Sequence, residues 1–96
     1  MQILVTYDVS TVSDGGKRRL RRAAKVCLDY GQRVQNSVFE CQLDPAQLVE
    51  MRSRLLAIID PDQDSLRIYM LGKEWNRRVE HHGIKESYNP QGPLIV

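Results

Sequence analysis

Asp8 is the first residue whose type and place suggest chemistry. It stands near the end of Ile3-Leu4-Val5-Thr6-Tyr7-Asp8-Val9, a run that is otherwise apolar, β-branched or aromatic. A carboxylate inside such a strand is costly unless it is paired, bound to a metal or placed at the strand's exposed end. Spacing leaves two readings open, a cation ligand or a strand-end cap on the loop that follows. A lone carboxylate makes a poor hydrolytic site. Mg²⁺, however, keeps most of its waters and takes only one or two protein carboxylates. Two copies of Asp8 facing each other across a dyad would supply them.

A basic run is the second candidate. Six of the fourteen Lys and Arg residues lie between Lys17 and Lys25. Lys17, Arg18, Arg19, Arg21 and Arg22 crowd what should be the first turns of a helix, where the helix dipole already presents positive charge. Phosphates would relieve that crowding, and the planar fork of arginine suits them well. Lys73, Arg77 and Arg78 form a weaker basic cluster beside Trp75, whose ordinary role would be to anchor a loop. His81 and His82 are adjacent, so in a strand they point to opposite faces and cannot grip one metal together. No nucleophile with a histidine base can be assigned, and Gly15-Gly16 reads as a turn before a helix rather than a phosphate loop.

The elements that must position these residues follow from periodicity. Residues 3–9 read as a central strand covered on both faces. Ser10 to Gly16 is turn chemistry that offers Ser13 or Asp14 as a helix cap. Leu20, Ala23, Ala24 and Cys27 make one helical stripe opposite Arg18, Arg21, Arg22 and Lys25, and Gly31 ends that helix in the usual C-terminal way. Arg33-Val34-Gln35 and Val38 to Leu43 form a hairpin joined at Asn36-Ser37. Asp44-Pro45-Ala46-Gln47 caps a second helix with a stripe of Leu48, Met51, Leu55, Ile58 and Ile59, stopped by Asp60-Pro61-Asp62. Leu66, Ile68 and Met70 alternate with Arg67 and Tyr69 in a half-buried strand closed by Gly72. The order βαββαβ predicts an α/β (α+β) ferredoxin-like sandwich, with both helices on one face of an antiparallel sheet. Val79 to Ile84 offers a further strand, and the apolar Leu94-Ile95-Val96 needs a sheet edge, its own or a partner's.

With 96 residues there is room for one domain and one modest core. No run is apolar for the roughly 20 residues of a membrane span, and the amino terminus lacks the pattern of an export signal, so a cytoplasmic protein is expected. Cys27 and Cys41 belong to no C-x-x-C pair and read as buried thiols in a reducing compartment.

Several segments together resemble the family of CRISPR-associated protein two, the small partner of the spacer integrase. They are Tyr7-Asp8-Val9, the arginine-rich first helix, Tyr30-Gly31 and, most specifically, Arg33-Val34-Gln35-Asn36-Ser37-Val38-Phe39-Glu40-Cys41, with Asp64-Ser65-Leu66-Arg67-Ile68-Tyr69 as the fourth strand. The resemblance implies a homodimer in which residues 79–96 are an extension packing on the partner subunit. It implies that Asp8 is both catalytic residue and metal ligand, one Mg²⁺ being shared by the two Asp8 across the dyad. It also implies a metal-dependent endonuclease on double-stranded DNA or single-stranded RNA that acts in spacer acquisition. Lys17, Arg18, Arg19, Arg21, Arg22, Arg33, Arg77 and Arg78 would then contact nucleic acid, with Arg33 neutralising a phosphate if it faces the cleft. The alternatives are a non-catalytic DNA-binding scaffold of the integrase complex and a stand-alone, toxin-like ribonuclease.

Overall fold

The computed structural model describes residues 1–83. Seven elements follow in order: β1 (Gln2–Asp8), α1 (Asp14–Tyr30), β2 (Gly31–Gln35), β3 (Val38–Gln42), α2 (Pro45–Leu56), β4 (Ser65–Met70) and the short α3 (Trp75–Arg78). The strands form one antiparallel sheet in the order β2-β3-β1-β4, the ferredoxin-like arrangement expected from βαββαβ.

Strand alternation decides which side is core. Ile3, Val5 and Tyr7 of β1 and Phe39 and Cys41 of β3 are buried under Ala23, Val26 and Cys27 of α1 and Leu48, Met51 and Leu55 of α2, with Leu66 and Ile68 half-buried beside them. The opposite face of β1 carries Leu4, Thr6 and Asp8, and no helix of the described residues covers it, which corrects the expectation of a strand covered on both faces. Helix starts follow the capping chemistry. Ser13 Oγ accepts from the Gly16 N–H at 3.2 Å, and Asp44 and Gln47 form a reciprocal capping box with Pro45 at the first helical position.

Several expectations are corrected. Gly15 and Gly16 lie inside the first turn of α1 rather than in a turn before it, and Gly16 is buried. Gly31 is not a left-handed cap: its backbone is extended, with φ −165°, and it opens β2. Glycine is needed there for closeness, since a Cβ would fall 2.2 Å from the Glu40 carbonyl oxygen and 2.6 Å from Cys41 Sγ. α2 ends at Leu56, so Ile58 and Ile59 pack from the following turn, ahead of Asp60-Pro61. Met70, expected to be half-buried, is 59% exposed at the far end of β4. After β4 the chain forms α3 and then no strand over residues 79–83, while Leu94-Ile95-Val96 lies outside the described residues. Both thiols are buried and free, and burial pushes Cys27 up to about 12 and Cys41 up to about 11, so neither supplies a thiolate near neutral pH.

Candidate nucleic-acid interface

On α1 the 100° step per residue places Lys17, Arg18, Arg21, Arg22 and Lys25 on one side, away from buried Ala23, Val26 and Cys27. All five cations are exposed and none makes an ion pair among the described residues. Asp14 is the acidic residue of the first turn. Asp29 near the far end is occupied, accepting from Arg54 Nη2 of α2 at 2.9 Å. The outer side of α1 is therefore a cationic stripe about 12 Å long, from a rise of ~1.5 Å per residue over Lys17 to Lys25.

Arg19 stands apart from its neighbours. Its step on the helix turns it toward β4, where Nε donates to Asp64 Oδ2 at 2.8 Å and Nη2 to Oδ1 at 3.2 Å. The Asp64 side chain is fully buried and that of Arg19 is 17% exposed. Asp64 also accepts from the Ser10 N–H at 3.1 Å and the Asp60 N–H at 2.8 Å. The guanidinium, followed by the two backbone donors, holds its carboxyl below the usual carboxylate range despite burial. A depressed carboxylate pKa contributes stability that is present above the unfolded value, near ~4, and lost as pH falls through the folded value. The difference in Tm between wild type and Asp64→Asn is therefore expected to be largest above about pH 5 and to close on acidification below ~4. Thermal melts of both proteins from ~pH 7 down to ~pH 2 check it, and a pH-independent difference would show that the charge of Asp64 is not what matters.

The remaining basic candidates are exposed and sit elsewhere. The Arg33 guanidinium lies 5.1 Å from the centroid of Phe39, whose other neighbour is the stacked ring of Tyr7 at 5.9 Å. Burial raises the Tyr7 phenol pKa, partly opposed by Arg33. Arg77 pairs with Glu74 at 3.0 Å, and Arg78 Nη1 donates to the Leu71 carbonyl at 2.7 Å, closing the turn at Gly72, which has φ +82°.

Asp8 ends β1, exposed on the uncovered sheet face and opposite Ser65 of β4. Among the described residues no three His, Cys, Asp or Glu side chains come together as a metal cage. His81 and His82 are exposed, and His81 Nε2 lies 3.0 Å from the Gly83 carbonyl. Asp64 is the residue that reading the chain in order passed over. It sits 45 positions from Arg19, and nothing local announces their pairing.

The model of the family "CRISPR associated protein Cas2" matches residues 1–79, which include β1, the basic helix, the hairpin, Asp64 and α3. The chain belongs to the Cas2 family. It is 63% identical over 94 residues to a CRISPR-associated endoribonuclease Cas2 of Rhodospirillum rubrum, covering 98% of this chain and 99% of that one. It is 54% identical to a CRISPR-associated endonuclease Cas2 of Halalkalibacterium halodurans, covering 99% of each chain. The crystal structure of Streptococcus pyogenes Cas2 at pH 6.5 superposes with a TM-score of 0.78 at 59% identity, covering 86% of this chain and 100% of that one. The ferredoxin-like fold of this Cas2-family chain is thus shared with a solved relative. No helix among its described residues is long and apolar enough to cross a membrane.

Proposed function

We propose that this Cas2-family protein serves in spacer acquisition as a homodimeric nucleic-acid-binding scaffold that works with the spacer integrase and grips the backbone of double-stranded DNA. The observation that carries this reading is the outer side of α1, where Lys17, Arg18, Arg21, Arg22 and Lys25 stand exposed without ion-pair partners among the described residues. Backbone contacts of this kind are sequence-independent and weaken steeply with salt. Arg33 and Arg78 add charge outside α1, whereas the charge of Arg77 is offset by Glu74. The sheet face that no helix of the described residues covers, with Leu4 and Val38 half-buried on it, supports a second copy as the partner.

A second reading, a metal-dependent endonuclease on DNA or RNA, is favoured by the names of the relatives and by the exposure of Asp8. One exposed carboxylate with the Ser65 position across the ladder fits a hard cation that keeps most of its waters, provided that a dyad brings the second Asp8. Bound Mg²⁺ would supply an acidified water and neutralise charge on the scissile phosphate. The part of the chain itself is to hold Asp8 rigid at the end of a strand paired on both sides.

Binding of labelled duplex DNA at several salt concentrations tests the scaffold reading. Each cation lost removes about 0.9 from the log–log salt slope, so the triple variant Arg18→Gln, Arg21→Gln, Arg22→Gln is expected to lower the slope by about 3 per engaged protomer and the affinity on the order of a hundredfold. Asp8→Ala should bind as wild type does. Unchanged binding by the triple variant removes α1 from the interface. Mg²⁺-dependent cleavage that is lost in Asp8→Ala with binding retained would put the nuclease reading first.

A further inference from the structure

The first half of α1 has one large apolar side chain against the core, the half-buried Leu20. Its buried or half-buried residues facing the sheet are Gly16, Leu20 and Ala23, whereas Val26 and Cys27 hold the second half. The half that carries Lys17, Arg18, Arg21 and Arg22 therefore depends on polar attachments as well. One is the Ser13 cap and the other is the Asp64 carboxylate, whose four hydrogen bonds tie three segments together. Ser10 belongs to the loop two residues beyond Asp8, Arg19 lies on α1 between Arg18 and Arg21, and Asp60 begins the turn into β4. Asp64 itself precedes Ser65, the ladder partner of Asp8.

We infer that Asp64 and Arg19 are a positioning pair for the nucleic-acid-binding face: Asp64 takes one arginine out of the basic run, uses it to fix the first half of α1 on the end of β1, and leaves Arg19 without a phosphate contact. This rests on the DNA-binding reading of α1. It makes a prediction of unusual sign. Removing a carboxylate beside a cationic surface normally tightens binding to a polyanion and here would also release a further cation. A positioning carboxylate does the opposite, because its loss lets the exposed arginines drift from their common line. A purely structural carboxylate would change neither, as long as the protein is folded.

The test is the affinity of the full chain for a labelled duplex of about 30 base pairs across a salt series, at a temperature where circular dichroism shows each variant folded. Asp64→Asn and Arg19→Gln are each expected to weaken binding about fivefold, with the double variant no weaker than either, since both act through one contact. Equal or tighter binding by folded Asp64→Asn, or a salt slope steeper by about 0.9, overturns the inference. Arg19→Lys covers the case in which Asp64→Asn does not fold. It keeps the charge but not the fork, so binding several-fold weaker at unchanged slope supports the pair, and wild-type affinity overturns it. If the reading of α1 itself is wrong, the Arg18, Arg21, Arg22 triple variant binds as wild type does, which separates the two failures.

Discussion

Gly16→Ala is expected to lower Tm by on the order of 15 °C, while the same change one residue earlier, Gly15→Ala, raises it by a few degrees. A Cβ at position 16 would lie 1.8 Å from the Ser10 carbonyl oxygen and 2.8 Å from its carbon, and both are backbone atoms that no rotamer change can move. α1 would have to lift from the end of β1, straining the Ser13 cap and the Arg19–Asp64 fork on either side. Overpacking of this kind costs about 3 kcal/mol, and in a domain of this size each kcal/mol moves Tm by roughly 4–8 °C. At position 15 the nearest atoms are Arg19 Nη1 at 3.6 Å and Ser13 Oγ at 3.7 Å, ordinary contact distances. There alanine only restricts the unfolded chain, which stabilises by about 0.4–1 kcal/mol. Thermal melts of the two variants check the contrast, and equal shifts would mean that α1 does not approach Ser10 so closely.

Phe39→Ala is expected to cost about 3–5 kcal/mol and to lower Tm on the order of 20 °C. Phe39 is the largest of the fully buried side chains. It is the second residue of β3, between Val5 on one side of the ladder and Arg33 on the other. Tyr7 stacks on its ring with an interplanar angle of 19°, so truncation opens a cavity and also removes the ring partner. Because β1 and β3 are flanked on both sides, the sheet cannot collapse inward to refill it. Urea unfolding gives the value. A loss below about 1 kcal/mol would show that α1 and α2 close over the gap.

Much of this architecture is legible in the chain because it rests on local signals. Alternation in β3 and in the first part of β4, the stripes of α1 and α2, the Ser13 cap and the Asp44-to-Gln47 box act within a few residues and recur in the structure, whereas the apolar run of β1 did not show that one of its faces carries no helix among the described residues. The antiparallel order follows from them, since two βαβ connections around a hairpin leave few other ways to bury both stripes. The cationic side of α1 is legible for the same reason, a charge pattern at helical period. Asp8 is legible as an anomaly in an apolar strand, although its exposure depends on where the ladder with β4 ends.

The sequence by itself thus determined the four strands and two long helices of the βαββαβ unit, their order, most of the core residues and the existence of a basic helix, but not α3. The tertiary structure alone decided the division of labour among the arginines. Arg18, Arg19, Arg21 and Arg22 are alike in composition and closely spaced, and only the approach of a loop 45 residues away withdraws Arg19 into a buried fork with Asp64. The same holds for glycine: Gly16 and Gly31 look like a turn and a cap, yet each is required by backbone passing within 2.2 Å of where a Cβ would stand. Periodicity reports which way a residue faces on its own element. Which atoms arrive to meet it is fixed by the packing of distant segments, and that packing has no period to read.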